Sequence, residues 1–275
     1  KVLARFGVLI SVVLLLIVQV IGKSVNGNHN WISLGFVDIQ PSEVAKFLMI
    51  LWAGFMLAKR EKAGAIHSNV LVLIGPAFVL CMILIMAGRD LGTASVFAFI
   101  LAGLLWVSGL RLGVFGIGLA AGAAALAVLI LTNPYRMERF AVILNPFAED
   151  QYKFSGWQPA HSLLGLASGG LFGVGLGASR QKWGNLAEAH TDFIMAVIGE
   201  ELGFVGVVVM IFLFYWIVRR AFLIGRTALQ LDRSFAGLAA KGVAIWIGWQ
   251  AFINMGVNLG LLPTKGLTLP LVSYG

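Results

Sequence analysis

The sequence predicts an all-α integral membrane fold, a multi-spanning helical bundle interrupted by one large connection over residues 133–192. Three observations lead there. Hydrophobic residues make up 59% of the 275 and charged residues 12%, and mean hydropathy is +0.92. Soluble domains carry about a quarter charged residues, so this chain cannot clothe itself in a solvated surface. Seven stretches are apolar over about 20 residues, the length a helix needs to cross ~30 Å of hydrocarbon. Finally, Lys and Arg crowd alternate connections between those stretches, as positive-inside topology requires.

The stretches cover residues 3–22, 42–58, 70–88, 91–109, 112–132, 193–218 and 237–262. The second is short, and the last two are long enough to tilt. One set of ends holds Lys1 and Arg5, then Lys59, Arg60 and Lys62, then Arg111, and later Arg219, Arg220, Arg226, Arg233 and Lys241. The opposite short connections hold Lys23, Arg89 and Lys265. The first set reads as cytoplasmic, with the amino end inside and the carboxyl end outside. Acids sort more sharply: Glu61 and Asp232 lie inside, whereas Asp38, Glu43, Asp90, Glu138, Glu149, Asp150, Glu188, Asp192, Glu200 and Glu201 lie at or beyond the outer face. Topology and attraction to the membrane surface explain the inner cations. The outer acids have no such explanation, which directs function to the extracytoplasmic face. The net charge of +8 is accounted for in the same way and implies no nucleic-acid partner. Cys81, the single cysteine, supports neither a disulfide framework nor a Cys-based metal site and reads as a core residue. A start at Lys1 without Met and an end at Gly275 inside a motif suggest a piece of a longer protein.

The connection 133–192 is far longer than most and contains apolar pieces, so short helices lying at the interface are expected there. The run GGLFGVGLG, residues 169–177, is not GxGxxG and follows no strand; it reads as a flexible turn rather than a nucleotide site. Glu43 and Lys46 share one helical face; a mutual ion pair and a cavity-lining role stand level. Gln250, Asn254 and Asn258 form a polar stripe, more simply read as interhelical hydrogen bonding than as a site. The GxxxG spacings Gly199/Gly203 and Gly256/Gly260 read as close helix packing. Asp192 sits where the long connection meets a span, amid Glu188, His190, Glu200 and Glu201. Either Thr191 or Asp192 could cap the helix. The alternative is a general base, since partial desolvation raises a carboxylate's pKa. Arg136, Arg139, Lys153, Arg180 and Lys182 in the same connection would snorkel to headgroups or hold a diphosphate leaving group. Carboxylate plus cations at the outer leaflet suggests phosphate-linked lipid chemistry.

The segments WISLGFVDIQPSEVAKF (31–47), RDLGT (89–93), NPYRMERF (133–140), AEAHTDFIMAVIGEELGFVG (187–206) and NMGVNLGLLPTKGLTLPLVSYG (254–275) together resemble the SEDS glycosyltransferases. TKGLTLPL and the NPYR…NPF stretch are closer to the division-type members than to the elongation-type ones. The resemblance implies ten spans in the full fold, of which this chain would cover the third to the ninth. It also implies polymerisation of lipid II outside the cytoplasmic membrane, at the division septum, with a class B penicillin-binding protein and other division proteins as partners. The family's essential aspartate falls on Asp192, and Glu43, Lys46 and Asp90 match positions in or near its central cavity. By charge and resemblance the diphosphate- or sugar-binding set is Arg136, Arg139, Lys182, Glu43, Lys46, Asp90, Gln158, His190 and Lys265. Departures occur at Gly88-Arg89-Asp90, where the family often has QPD, at Ala187, where it often has Pro, and at Asn30, where it often has Arg.

On this reading residues 1–275 form one membrane domain, and the reaction is an inverting transfer with Asp192 as base. Arg136, Arg139 and Lys182 would stabilise the departing diphosphate. A divalent cation, Mg or Mn, could share that task, although no ligand cluster demands one. The rivals are a lipid II flippase, an elongation-type polymerase and a non-catalytic scaffold.

Overall fold

The computed structural model describes residues 2–25, 28–33, 38–63 and 69–274, excluding the side chains of residues 23–25, 28, 29, 33, 38, 135 and 136. Its helices are α1 (Val2–Ile21), α2 (Pro41–Lys62), α3 (Val70–Ala87), α4 (Leu91–Val107), α5 (Leu112–Leu131), α6 (Pro134–Leu144), α7 (Glu149–Tyr152), α8 (Trp157–Ser168), α9 (Ile194–Gln230) and α10 (Ser234–Asn258). The expected short helices of the connection 133–192 are α6, α7 and α8. Three short antiparallel strands, β1 (Lys23–Val25), β2 (Asn28–Ser33) and β3 (Asp38–Ile39), link α1 to α2 in the order β1-β2-β3.

Among the described residues, α1, α2, α3, α5, α9 and α10 are long and apolar enough to cross a membrane. The seventh expected span, α4, has 17 residues, about 26 Å at 1.5 Å per residue. It is short because Asp90 caps one end and Ser108 closes the other. The chain is a multi-pass membrane protein.

Two compact units are present, one of residues 1–119 and 217–247, the other of 120–216 and 248–275. In the first, small residues let helices approach closely: a Cβ on Gly7 would lie 2.6 Å from the Leu48 carbonyl oxygen, so α1 and α2 meet backbone to backbone. Phe78 of α3 meets Phe97 of α4 edge to face at 6.2 Å, both fully buried. By contrast, α5 has no buried residue. An apolar helix that exposed would be untenable in water and is at home in lipid.

Helix α9, of which residues 194–216 belong to the second unit, departs from the simple span picture. An apolar stretch ends where Arg219 and Arg220 begin, but arginine is a good helix former, so the helix continues to Gln230 and reaches 37 residues. It is also broken at Gly203, at φ 69°, ψ −165°, a region essentially confined to glycine. The break leaves the carbonyls of Glu200 and Glu201 and the amides of Phe204 and Val205 without their i→i−4 partners. The glycine-rich run supplies all four: Val174 N donates to Glu200 O at 2.9 Å, Gly175 N to Glu201 O at 3.2 Å, Phe204 N to Gly170 O at 2.8 Å and Val205 N to Leu171 O at 3.2 Å. The run expected as a flexible turn is therefore the bonded partner of a broken helix. Non-helical backbone is tolerated at a membrane only when it is satisfied in this way.

The GxxxG readings change accordingly. Gly199 is a close-packing site, facing Leu166, whereas Gly203 is the break itself. Gly260, at φ 69°, lies just past the end of α10, the usual place for a left-handed glycine at a helix terminus.

Candidate functional site

Asp192 is half-buried in the segment that enters α9, within the second unit. Its backbone carbonyl accepts two side-chain amides from α10, Asn254 Nδ2 at 2.8 Å and Asn258 Nδ2 at 2.9 Å. Asn254 Nδ2 also donates to Leu267 O at 2.7 Å, and Asn258 Oδ1 accepts Ala196 N at 3.1 Å. The first turn of α9 thus receives a side-chain acceptor from Asn258, while Thr191 Oγ1 is turned to Glu188 Oε2 at 2.8 Å. The polar stripe makes one expected helix-to-helix bond, Ala196 N to Asn258 Oδ1, and otherwise joins α10 to two loops: Gln250 Nε2 continues it by donating to Thr268 O at 3.2 Å.

Residues 264–268 form the facing wall. A Cβ on Gly266 would stand 3.4 Å from Asp192 Oδ2, so the carboxylate looks onto a residue without a side chain. Arg139 of α6 donates to Thr264 O at 2.8 Å, which places its guanidinium at the same loop, and Lys265 follows Thr264 directly. The chain then returns: Ser273 Oγ donates to Thr191 O at 2.6 Å and Tyr274 N to His190 O at 3.1 Å. Hence Asp192, His190, Arg139 and Lys265 lie on segments tied together by hydrogen bonds. Gln158 is half-buried in the first turn of α8. Arg136 lies on α6 with its side chain outside those described.

Two of the other acids expected near Asp192, Glu200 and Glu201, instead lie at the helix break. Glu200 is 1% exposed and accepts Ser179 Oγ at 2.6 Å, Arg180 N at 3.0 Å, Gln181 N at 3.3 Å and Ser168 Oγ at 3.4 Å. Lys182 is 2.5 Å from Glu201. Its charge is therefore already countered, which weakens the expectation that it serves a diphosphate.

A second polar cluster lies in the first unit. Lys46 is fully buried and 2.6 Å from Glu43 Oε1, so the mutual ion pair is present. The Trp246 ring centroid is 5.3 Å from the ammonium. Asp90 caps α4, accepting Thr93 N at 2.8 Å on Oδ1, and takes Asn30 Nδ2 at 3.0 Å on Oδ2. Asn30, where the family often has arginine, thus gives Asp90 an amide donor. Burial pushes the Asp90 carboxyl above the usual carboxylate range, against the opposing pull of Thr93 and the Lys46 ammonium. Two outcomes follow. Asp90→Asn retains the acceptor for Thr93 N but turns an amide NH2 toward Asn30 Nδ2, so it should melt between wild type and Asp90→Ala, which should lose about 0.5–2 kcal/mol through the cap alone, read from thermal unfolding of both variants. Glu43→Gln takes the closest countercharge from a buried ammonium, so the double variant Glu43→Gln/Lys46→Met should be more stable than Glu43→Gln alone; a double-variant cycle on melting checks it.

Among the described residues no group of three or more His, Cys, Asp or Glu is placed to hold a metal ion. Gly266 and Ser273 escaped sequence reasoning as site residues. Their only signal was membership of the TKGLTLPLVSYG segment.

A profile of the FtsW/RodA/SpoVE family, described as "Cell cycle protein", matches residues 1–275. The chain belongs to this family. It is similar to a protein of Polynucleobacter necessarius named "Probable peptidoglycan glycosyltransferase FtsW", 54% identical over 98% of this chain and 64% of the relative. It is also similar to one of the same name from Burkholderia thailandensis, 49% identical over 97% and 58%. The chain thus spans roughly three fifths of the length of these two relatives. Among solved structures it is similar to a chain of one described as "Structural coordination of polymerization and crosslinking by a peptidoglycan synthase complex", with TM-score 0.78 and 30% identity, covering 99% of this chain and 75% of that one. Against the rod shape determining protein RodA of Thermus thermophilus the TM-score is 0.67 at 30% identity, covering 99% and 71%.

Proposed function

We propose that the protein is a peptidoglycan glycosyltransferase that polymerises lipid II on the outer face of the cytoplasmic membrane during division. The observation that carries this reading is a carboxylate, Asp192, held by its backbone on two buried amides and facing the side-chain-free Gly266. With no side chain on Gly266 to cover it, the half-buried carboxylate stays within reach of a sugar hydroxyl as a fixed proton acceptor. The relatives' names and the solved synthase complex support the reaction class.

In the proposed step Asp192 takes the proton from the 4-hydroxyl of the acceptor sugar. That oxygen forms the new bond to the anomeric carbon of the donor, on the face opposite the diphosphate, and the carbon–oxygen bond to the diphosphate breaks with inversion. The polyprenyl diphosphate leaves with the bonding pair. Arg139, beside the 264–268 loop, and Arg136 on the same helix supply countercharge, with Lys265 a further cation in the loop. A class B penicillin-binding protein is the expected partner. The solved complex couples polymerisation to crosslinking by its own description, and a glycan polymerase needs a crosslinking enzyme beside it. Localisation at the septum belongs to the same reading.

Reconstitution of the full-length protein with a class B penicillin-binding protein in proteoliposomes loaded with labelled lipid II tests the reaction class. Glycan polymer is expected. Lipid II movement between leaflets without polymer would favour a flippase, and neither product would favour a scaffold.

A further inference from the structure

The polar stripe of α10 is not used in the step above, yet its central member touches both the Asp192 segment and the facing wall. We infer that Asn254 is a positioning residue that sets the distance between Asp192 and the 264–268 loop, an inference that rests on the reading of Asp192 as the base. Asn254 is 1% exposed, and a side-chain amide has two N–H donors. One is directed to the carbonyl of Asp192 at 2.8 Å and the other to the carbonyl of Leu267 at 2.7 Å. Leu267 adjoins Gly266, which faces the Asp192 carboxylate. A single planar group on a helix therefore spans the segment that carries Asp192 and the loop that faces it.

Asn258 is built differently. It holds Asp192 O at 2.9 Å and accepts Ala196 N at 3.1 Å, so it secures the base and the start of α9 without a bond to the loop. It also supports its neighbour, donating to Asn254 Oδ1 at 3.3 Å. Of these two asparagines, Asn254 is the one bonded to both walls. Neither aspartate nor leucine can replace it: aspartate would set negative oxygens against two carbonyls, and leucine would remove the donor to Leu267 O and leave Asp192 O with the Asn258 amide. Reaction rates respond steeply to such spacing, since a displacement of about 1 Å can lower a rate about 10²-fold.

The test uses the full-length protein with its penicillin-binding partner and compares wild type, Asp192→Asn, Asn254→Leu and Asn258→Leu in lipid II polymerisation and in amide hydrogen exchange. Asn254→Leu should lower kcat by about 10–100-fold and leave KM for lipid II within a few-fold. Exchange should rise at both 190–193 and 265–268. In Asn258→Leu it should rise around 192–197 and not in the loop. Unchanged kcat in Asn254→Leu would overturn the inference, as would a rise in exchange throughout residues 120–216, which marks general loosening. Should Asn254→Leu fail to fold, Asn254→Ser, which keeps one donor, is read by the same criteria. Activity in wild type that survives in Asp192→Asn would remove the base assignment instead. If wild type made no polymer, the glycosyltransferase reading would fall, and the exchange pattern would still decide whether Asn254 ties the two segments.

Discussion

Gly203→Ala is expected to destabilise the protein more than any other single methyl addition in α9. The backbone at Gly203 has φ 69° and ψ −165°, where a side chain costs on the order of 1–3 kcal/mol in strain. Space is lacking as well: the new Cβ would stand 2.6 Å from the Leu171 carbonyl oxygen and would also meet Gly173 N. Neither contact is the end of a flexible side chain, so relief requires the glycine-rich run to move. Movement breaks the exchanged bonds from Val174, Gly175, Phe204 and Val205, each worth about 1 kcal/mol net. The expected outcome is a marked fall in melting temperature of the purified protein in detergent. Gly122→Ala on α5 is the control, because its Cβ would meet nothing within 4 Å. Equal melting of the two variants would contradict the account of the break.

The helical membrane architecture was legible in the sequence because lipid imposes a length and a polarity that composition cannot hide. The extents of α1, α3 and α5 followed from the same rule to within a residue at each end. The second stretch, expected to be short and to stop at residue 58, instead runs to Lys62, because Lys, Arg and Glu are good helix formers. What escaped was non-local. Gly203 looked like half of a packing motif because a sequence spacing does not reveal φ. The run from Gly169 looked like a loose turn because its partners, Glu200 to Val205, are set by tertiary pairing. Glu200 looked like part of an ionisable cluster, yet a buried carboxylate ringed by hydroxyl and amide donors from residues 168–181 serves the loop. For the candidate site, Asp192 stood out by its position between loop and span, whereas its supports came from α10 and from residues 264–273. Asn254 and Asn258 were visible as a stripe, but their directions were not. Gly266 gave no chemical signal, since what it contributes is the lack of a side chain.

Asp192→Asn should leave the fold intact and remove the reaction. The segment's hydrogen bonds to Asn254 and Asn258 run through the backbone carbonyl, which the substitution does not touch, and asparagine is nearly isosteric with aspartate. The variant should therefore melt close to wild type. What it loses is the proton acceptor beside Gly266, and general-base help is worth about 10²–10⁴-fold in rate. The decisive measurement is the rate of lipid II polymerisation by the full-length protein with its penicillin-binding partner, wild type against Asp192→Asn, on samples matched for folding. The account predicts polymer from wild type and a rate lower by at least about 10²-fold in the variant. Equal rates in two folded samples would contradict it.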